Sequence, residues 1–437
     1  MVQGNERKST IQIIVGQGLC IGCGICAALC PKTALTIVEC EETGMYLPRL
    51  DSSKCIHCGI CLKICPGNEP DFRKLNSMIF NQKPKCPTVG NYIRCYSGYA
   101  VNRNTRFKST SGGLISALAA FALEDGIADG VLVTRANSQD PLRPRSFIAR
   151  SKEDVMSAMG SKYCPVSLDS ALNEILETEG RYIIVGLPCH IQGIRKAQIL
   201  NKKLKNRISL VFGLVCNHTP TFHATDFLLK KFKISDDRIT KLDYRTNGWP
   251  GYMKIVIDDC AEHFIPFSSL YYWGYVFQKF FWPKRCMVCN DKLCQLADII
   301  FMDAWLPEFS SDRTGSSLII VRSKKGELFI SKAIEREIVK LQPISVENVL
   351  RSQQIFKINR RVAVTRFAMK YHPNEYCSSS AQSSSPNPSI SNILDAFHLI
   401  YINTFCKSSS KLSQLIIECH AKLWDFACSA KRKLTKK

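Results

Sequence analysis

Two runs of cysteine near the N-terminus have residue types and spacing suited to binding metal. In each run, four cysteines are separated by two, two and three residues, and a proline follows the last one. The runs consist of Cys20, Cys23, Cys26 and Cys30, and of Cys55, Cys58, Cys61 and Cys65. A tight loop with this spacing can aim three thiolates at one [4Fe–4S] cubane, and the proline stops the chain from continuing through the site. Because all eight cysteines match, a zinc site or a pair of disulfides explains the pattern poorly.

The doubled run resembles that of bacterial ferredoxins with two [4Fe–4S] clusters. In those proteins the first three cysteines of each run bind one cluster, and the fourth crosses to the other. The resemblance implies one cluster on Cys20, Cys23, Cys26 and Cys65. It implies a second cluster on Cys55, Cys58, Cys61 and Cys30. We therefore expect residues 1–75 to form a ferredoxin-like module that carries electrons.

Length and composition allow more than a ferredoxin. A chain of 437 residues has room for two or three domains, and its 22 cysteines are many for that length. Residues 1–10 are polar, which argues against a secretory signal, and the longest nearly apolar stretch, 112–123, is too short to span a bilayer. Free thiols and oxygen-sensitive clusters fit a reducing compartment. We predict a cytoplasmic protein without a transmembrane segment.

The chain is strongly basic, with a formal charge of +22. Three oxidised clusters with four thiolates each would lower this to roughly +16, since each carries about −2. Such a charge can favour acidic proteins, anionic cofactors, nucleic acid or an anionic membrane surface. No basic stripe interleaved with aromatic residues is present, and the basic run at 202–207 is typical of a solvated helix end. We therefore expect no nucleic-acid partner.

The elements that must position a second site follow residue 90, where apolar strands and amphipathic helices alternate. Strands are predicted at 131–134, 182–186, 208–215, 253–257, 298–301 and 318–321, and helices at 114–123, 191–200, 222–232 and 326–340. In the N-terminal module, strands are predicted around 11–15 and 35–38. The fold class is thus an α+β ferredoxin-like module followed by an α/β domain over 91–370. Residues 378–437 are predicted to be a Ser/Pro-rich linker and a tail, which forms either a docking helix or a disordered basic segment.

Two further groups of residues in the α/β region could bind ligands. Small residues precede the helix at 114, namely Ser109, Thr110, Ser111, Gly112 and Gly113. They could cradle a phosphate at the helix N-terminus, although a helix cap alone explains them too. Four cysteines lie at strand ends or in a Cys-x-x-Cys pair, namely Cys189, Cys216, Cys286 and Cys289. Because the carboxyl ends of parallel strands meet at one edge of a sheet, these thiolates could hold a third cubane.

The order of these segments resembles that in the family of coenzyme F420 hydrogenase/dehydrogenase beta subunits over residues 91–370. The resemblance depends on segments 109–113, 160–163, 186–189, 216–218, 244–251, 286–289, 297–299, 303–305 and 315–317. It implies that the α/β domain is a flavin-binding domain, with FAD beside a [4Fe–4S] cluster. It assigns cofactor binding to residues 109–113 together with Ser161, Lys162 and Tyr163. It identifies no catalytic side chain.

The resemblance implies an iron–sulfur flavoprotein oxidoreductase. Electrons would move between reduced deazaflavin (coenzyme F420) or another organic substrate, FAD and [4Fe–4S] clusters or ferredoxin, because a flavin converts electron pairs into single electrons. Partners would be that substrate and ferredoxin or a partner redox enzyme. The alternative is a non-catalytic electron-transfer subunit that links ferredoxin to a partner enzyme, for example in polysaccharide biosynthesis.

The sequence leaves several side chains open between two roles. Cys164 and Cys294 are alternatives to Cys216 as the fourth ligand of the third cluster. His218 is predicted to be exposed or capping rather than a ligand. The aromatic run 271–273 is expected to pack in the core, with stacking on a flavin as the alternative.

Overall fold

The computed structural model describes residues 10–68, 70–258, 260–371, 390–405 and 410–434. The polar segment 1–9 and the predicted linker at 378–389 lie outside the described residues. Of the predicted tail, the parts at 390–405 and 410–434 are described.

The N-terminal module is built from short helices around one hairpin. Its elements are α1 (Gln12–Gly16), α2 (Ile25–Ala28), β1 (Leu35–Cys40), β2 (Met45–Leu50), α3 (Ile60–Ile64) and α4 (Phe72–Phe80). Strands β1 and β2 pair antiparallel, so the strand predicted at 35–38 is confirmed. The strand predicted at 11–15 is wrong, because this segment is helix α1. Ile11 and Ile14, three residues apart, are both buried, which is the spacing of one helix face.

The α/β domain contains eleven strands among the described residues. They are β3 (Arg94–Ala100), β4 (Gly130–Arg135), β5 (Arg145–Ala149), β6 (Tyr182–Gly186), β7 (Ile208–Leu214), β8 (Ile239–Thr246), β9 (Tyr252–Ile257), β10 (Ala261–Pro266), β11 (Ile299–Asp303), β12 (Ser317–Val321) and β13 (Val339–Pro343). Eight of them form one mixed sheet in the order β13-β3-β12-β11-β7-β6-β4-β5. The four strands β11, β7, β6 and β4 are mutually parallel, and the others pair antiparallel. Strands β8 to β10 form a separate antiparallel sheet, which contains the strand predicted at 253–257.

Helices cover both faces of the large sheet. They are α5 (Arg103–Lys108), α6 (Leu114–Glu124), α7 (Lys152–Ser157), α8 (Asp169–Glu177), α9 (Pro188–Leu200), α10 (Lys202–Arg207), α11 (Phe222–Lys231), α12 (Val276–Lys279), α13 (Lys284–Met287), α14 (Lys324–Glu335), α15 (Val346–Ser352) and α16 (Ile355–Ala368). The predicted helix at 326–340 ends at Glu335, and the residues after it form edge strand β13. The remaining predicted helices and strands of this domain are confirmed.

The parallel strands are buried on both faces, which explains their continuous apolar sequences. In β6, Ile183 packs in the cluster under α6 and α14, whereas Ile184 packs in the cluster on the opposite face. That second cluster also contains Ile25 and Ile64 of the N-terminal module and Ile191 of α9. The module and the α/β domain therefore share one hydrophobic core.

Polar contacts also hold the N-terminal module against the α/β domain. The ammonium of Lys196 on α9 donates to the carbonyls of Cys65 at 2.7 Å and Asn68 at 2.8 Å. At the hairpin, Arg143 makes a two-pronged ion pair with Glu39, with both N···O distances at 2.7 Å. The module is thus anchored at both ends.

The C-terminal residues form helices α17 (Ile390–Phe405) and α18 (Lys411–Leu434). Asn403 of α17 accepts from the backbone N–H of Trp282 at 2.7 Å and donates to the carbonyl of Lys279 at 2.8 Å. Ile417 and Ala421 of α18 pack in the cluster that covers α11. For the described part of the tail, the docking-helix alternative therefore holds. Within the described ranges, no helix is long and apolar enough to cross a bilayer.

Candidate functional site

The eight N-terminal cysteines separate into two groups in space. One small cavity is lined by Cys20, Cys23, Cys26 and Cys65, together with apolar neighbours. A second small cavity is lined by Cys30, Cys55, Cys58 and Cys61. We call them the inner group and the outer group. Each brings together three cysteines of one run and the last cysteine of the other.

The inner group has the surroundings that a metal cluster requires. Burial raises the pKa of Cys20 to about 12 and those of Cys23 and Cys26 well above the usual range. Four thiolates cannot be held together in an apolar site unless a cation compensates their charge. The backbone N–H of Gly67 donates to the sulfur of Cys65 at 3.3 Å, as amides commonly do to cluster thiolates. The donor set therefore fits an iron–sulfur cluster.

Within the described residues, no three His, Cys, Asp or Glu side chains are arranged to hold a single metal ion. A cubane has four irons, and each takes one cysteine. Its ligands are consequently farther apart than those of a single ion.

A third group of cysteines lies near the carboxyl ends of the central parallel strands of the large sheet. Cys189 begins α9 after β6, Cys216 follows β7, and Cys286 and Cys289 lie in and after α13. Burial raises the pKa of Cys189 well above its usual range, and the charges of Cys216, Cys286 and Cys289 raise it further. Cys23 of the inner group also acts on Cys189. The structure thus places this third group beside the inner group.

The two alternative ligands face other surroundings. Cys164 is buried beside the hydroxyl of Tyr244, and burial raises its pKa to about 12. Cys294 lies under β7, where a side chain on Gly213 would collide with its sulfur. After burial, the groups that act most on the Cys294 thiol are Asp291 and Arg322. Of the three candidates for fourth ligand, Cys216 is the one that lies among the other three cysteines.

A cavity of about 400 Å³ opens at the carboxyl ends of the parallel strands. It is lined at those ends by Thr134, Leu187, Cys216 and Asp303. Ligands bind at this edge in α/β sheets because the loops there diverge. Since Cys216 lines the cavity and also belongs to the third group, the cavity and the third group adjoin.

Most of the predicted cofactor-binding residues line this cavity, namely Ser109, Thr110, Ser111, Gly113, Ser161, Lys162 and Tyr163. The hydroxyl of Thr110 accepts from the backbone N–H of Ser161 at 2.9 Å, which joins the two loops. Gly113 caps α6 with a φ of 75°, a left-handed conformation that favours glycine. The N-terminus of this 11-residue helix faces the cavity and can attract an anion.

Two predicted residues have structural contacts of a different kind. Gly112 does not line the cavity. Its N–H donates to Ser317 at 2.9 Å, and a Cβ there would lie 2.7 Å from the carbonyl oxygen of Gly98. The ammonium of Lys162 donates to the carbonyls of residues 158, 159 and 160 at 2.7 to 2.9 Å. An ammonium has three protons, so these bonds use all of them and hold the loop together.

Aromatic side chains line the other side of the cavity. Tyr163 lies 4.2 Å from Trp273, and Trp273 stacks on Phe267 at 5.5 Å between ring centres. The guanidinium of Arg245 covers Phe267 at 4.4 Å and is held by Asp303 through two bonds of 3.0 and 3.1 Å. Within the run 271–273, Tyr272 is fully buried as expected, but Trp273 lines the cavity.

His218 is the functional candidate that the sequence interpretation missed. The exposed or capping role is wrong, because His218 is buried, lines the cavity and stacks on Trp282 at 3.8 Å. Its Nε2 lies 2.5 Å from the carbonyl oxygen of Phe277, so Nε2 carries the proton. Burial lowers the pKa of His218 well below its usual range, and Nδ1 has no partner among the described residues. Its position just after the end of β7 is the signal that points to it.

Three family models match this chain. Residues 19–68 match a 4Fe-4S dicluster domain. Residues 95–173 match the N-terminal part, and 179–347 the C-terminal part, of the coenzyme F420 hydrogenase/dehydrogenase beta subunit. The fold and the cysteine groups define an iron–sulfur protein of the oxidoreductase class. In particular, the chain belongs to the family of coenzyme F420 hydrogenase/dehydrogenase beta subunits and carries a 4Fe–4S dicluster domain at its N-terminal side.

Several characterised proteins are similar in sequence. Coenzyme F420 hydrogenase subunit beta of Methanococcus voltae is 27% identical over 262 residues, which are 58% of this chain and 86% of that protein. The protein of the same name from Methanosarcina barkeri is 26% identical over 59% of this chain and 84% of its own length. Coenzyme F420-dependent sulfite reductase of Methanocaldococcus jannaschii is 24% identical over 83% of this chain, which spans about half (54%) of that protein.

Among solved structures, the F420-reducing [NiFe] hydrogenase complex from Methanosarcina barkeri contains a similar chain. It is 22% identical, has a TM-score of 0.49, and the match covers 64% of this chain and 95% of that one.

Proposed function

We propose that this protein is an iron–sulfur flavoprotein oxidoreductase that moves electrons between an organic hydride donor, FAD and three [4Fe–4S] clusters. Reduced deazaflavin is the donor we favour, because the sequence relatives are named for coenzyme F420. The observation that carries the proposal is the position of the third cysteine group. It adjoins the large cavity through Cys216 and the inner group through Cys189.

The cavity offers both kinds of surface that FAD needs. The loop at 109–113 and the N-terminus of α6 offer backbone N–H groups and a positive dipole to a phosphate. Tyr163, Phe267 and Trp273 offer flat apolar surfaces to a ring. His218 would present its unprotonated Nδ1 to an N–H of the bound ring. A bound flavin supplies conversion of an electron pair into single electrons.

The three cysteine groups would hold the clusters in a defined order. Going away from the cavity, the third group comes first, then the inner group and then the outer group. The four thiolates of each group would hold one cubane. The outer group contains the exposed Cys58, whereas Cys23, Cys26 and Cys65 are buried. Single electrons would therefore leave the protein at the outer group.

The exit point suggests the partner. We propose ferredoxin, or a partner redox enzyme, as the protein that meets the outer group. The buried thiols and the oxygen-sensitive clusters also support a reducing compartment such as the cytoplasm.

Anaerobic purification with cofactor analysis tests the proposal. We expect about 12 iron and 12 sulfide per chain, with one FAD, because twelve thiolates ligate three cubanes. Adding reduced deazaflavin should bleach the flavin absorbance, and an added ferredoxin should then be reduced. A protein that holds iron but never binds flavin would overturn the proposal and support the electron-transfer subunit instead.

A further inference from the structure

The C-terminal helices leave an apolar face uncovered. On α17, Leu394, Phe397 and Tyr401 are 56 to 64% exposed, and on α18, Leu415, Leu423 and Phe426 are 62 to 75% exposed. We call these six side chains the C-terminal apolar face. Their spacing is three, four or seven residues on α17 and three, eight or eleven on α18, which is that of one helix face. A helix in a globular protein normally buries such a stripe.

The two helices already bury a different side. Leu399 and Ile402 of α17 and Ile417 and Ala421 of α18 are buried against the body of the protein. His398 of α17 contacts His420 of α18, which places the two helices side by side. The apolar face is therefore additional to the docked face, and apolar patches of this kind mark an interaction surface.

The end of α18 is largely exposed, although Trp424 stacks on the buried Tyr275 at 5.1 Å between ring centres. From Lys422 to Ser429 every side chain is exposed except for the half-buried Cys428. The side of this end that faces away from Tyr275 carries Leu423 and Phe426, and the basic sequence Lys431, Arg432 and Lys433 follows. A helix with Leu and Phe on one side, followed by a cluster of basic residues, is typical of segments that lie in the membrane interface.

Charge distinguishes a lipid surface from a protein partner. Residues 390–437 contain eight Lys or Arg and three Asp or Glu. Seven of those eight are lysines, and lysine is depleted in protein–protein interfaces but attracts anionic lipid headgroups. Tyr401 is also of a residue type enriched at the membrane–water boundary.

We infer that the C-terminal apolar face docks on the surface of a bilayer that contains anionic phospholipids. The exposed leucine and aromatic side chains would enter the acyl boundary, and the lysines would lie among the headgroups. Such docking would hold an electron-transfer protein of this family at a membrane surface without a spanning helix.

Vesicle co-sedimentation with the full chain, purified anaerobically, tests this inference. The protein should bind vesicles of phosphatidylcholine mixed with phosphatidylglycerol, and bind phosphatidylcholine alone more weakly. Added salt should weaken binding, because it screens the lysine–headgroup attraction. Leu423→Ser combined with Phe426→Ser should lower vesicle affinity by about tenfold for each side chain. Lys431→Gln and Lys433→Gln should each lower it about fivefold.

Leu328→Ser is the matched control, because Leu328 is 73% exposed on a different helix, α14. It should leave vesicle binding unchanged, and circular dichroism should show that every variant keeps its helices. Absence of vesicle binding by the unmodified chain would overturn the inference. So would unchanged binding by the double serine variant. A face that covers a second copy of the chain would instead show up as a dimer that the double variant dissociates, without any vesicle binding.

Discussion

The inner and outer cysteine groups have the same spacing but different surroundings. In the inner group three of four cysteines are buried, whereas in the outer group none is, and Cys58 is exposed. The difference arises from packing, because Cys23 belongs to the core shared with α9, whereas the cavity that the outer group lines is surrounded by residues of the N-terminal module. Equal motifs thus obtain unequal roles, one internal and one at the surface.

The largest effect should come from removing one ligand of each group. Cys23→Ser and Cys58→Ser should both stop electron delivery from the reduced substrate to ferredoxin. Only Cys23→Ser should also lower the melting temperature by several degrees, because it puts a polar hydroxyl into the shared core. Acceptor reduction and thermal unfolding measure the two effects. Equal losses of melting temperature in both variants would contradict the different roles.

The second effect concerns the supply of electrons to the inner group. Cys286→Ala should lower the iron content from about 12 to about 8 per chain, since one cubane is lost. Flavin bleaching by the substrate should persist, but both N-terminal clusters should stay oxidised in rapid-mixing spectra. Cys294→Ala, also buried but outside the third group, should keep all the iron. If Cys294→Ala lost iron and Cys286→Ala did not, Cys294 rather than Cys286 would be a ligand of the third cluster.

A smaller effect tests the start of the path at His218. His218→Phe keeps a flat ring but removes the Nδ1 acceptor, so flavin should bind about tenfold more weakly, as expected for one buried hydrogen bond. His218→Asn should restore much of the affinity, because its side-chain oxygen can accept in place of Nδ1. Flavin titration of the apoprotein measures this, with iron content as the check on folding. Equal affinity in all three proteins would show that Nδ1 does not meet the flavin.

The smallest effect should come from the hairpin contact, which involves no cysteine. Glu39→Gln breaks the two-pronged pair with Arg143 and should cost about 1 kcal/mol of unfolding free energy. Asp51→Asn, at the exposed pair with Lys54, should cost much less. Denaturant titration compares them. A larger loss from Asp51→Asn would mean that the hairpin contact does not anchor the module.

Much of the fold follows from local patterns. The strand at 182–186 and the helix at 191–200 were predictable, because apolar runs and helical spacing are read within one segment. Strands β3 and β13 were not, since β3 pairs with β12 and β13, which lie more than 200 residues away in sequence. The strand prediction for 11–15 was wrong. Its β-branched residues favour a strand, but the segment forms helix α1.

For the site, the sequence alone determined the residue types and the grouping by spacing: eight cysteines in two runs, four more at strand ends or in a Cys-x-x-Cys pair, and a small-residue loop before a helix. Tertiary structure decided which of them meet. It put the third group between the cavity and Cys23, gave Gly112 a packing role, tied Lys162 to its own loop and buried His218 in the cavity wall. It also left the C-terminal apolar face exposed. Spacing fixes neighbours along a few residues, but burial and charge depend on contacts between distant segments, which no local pattern contains.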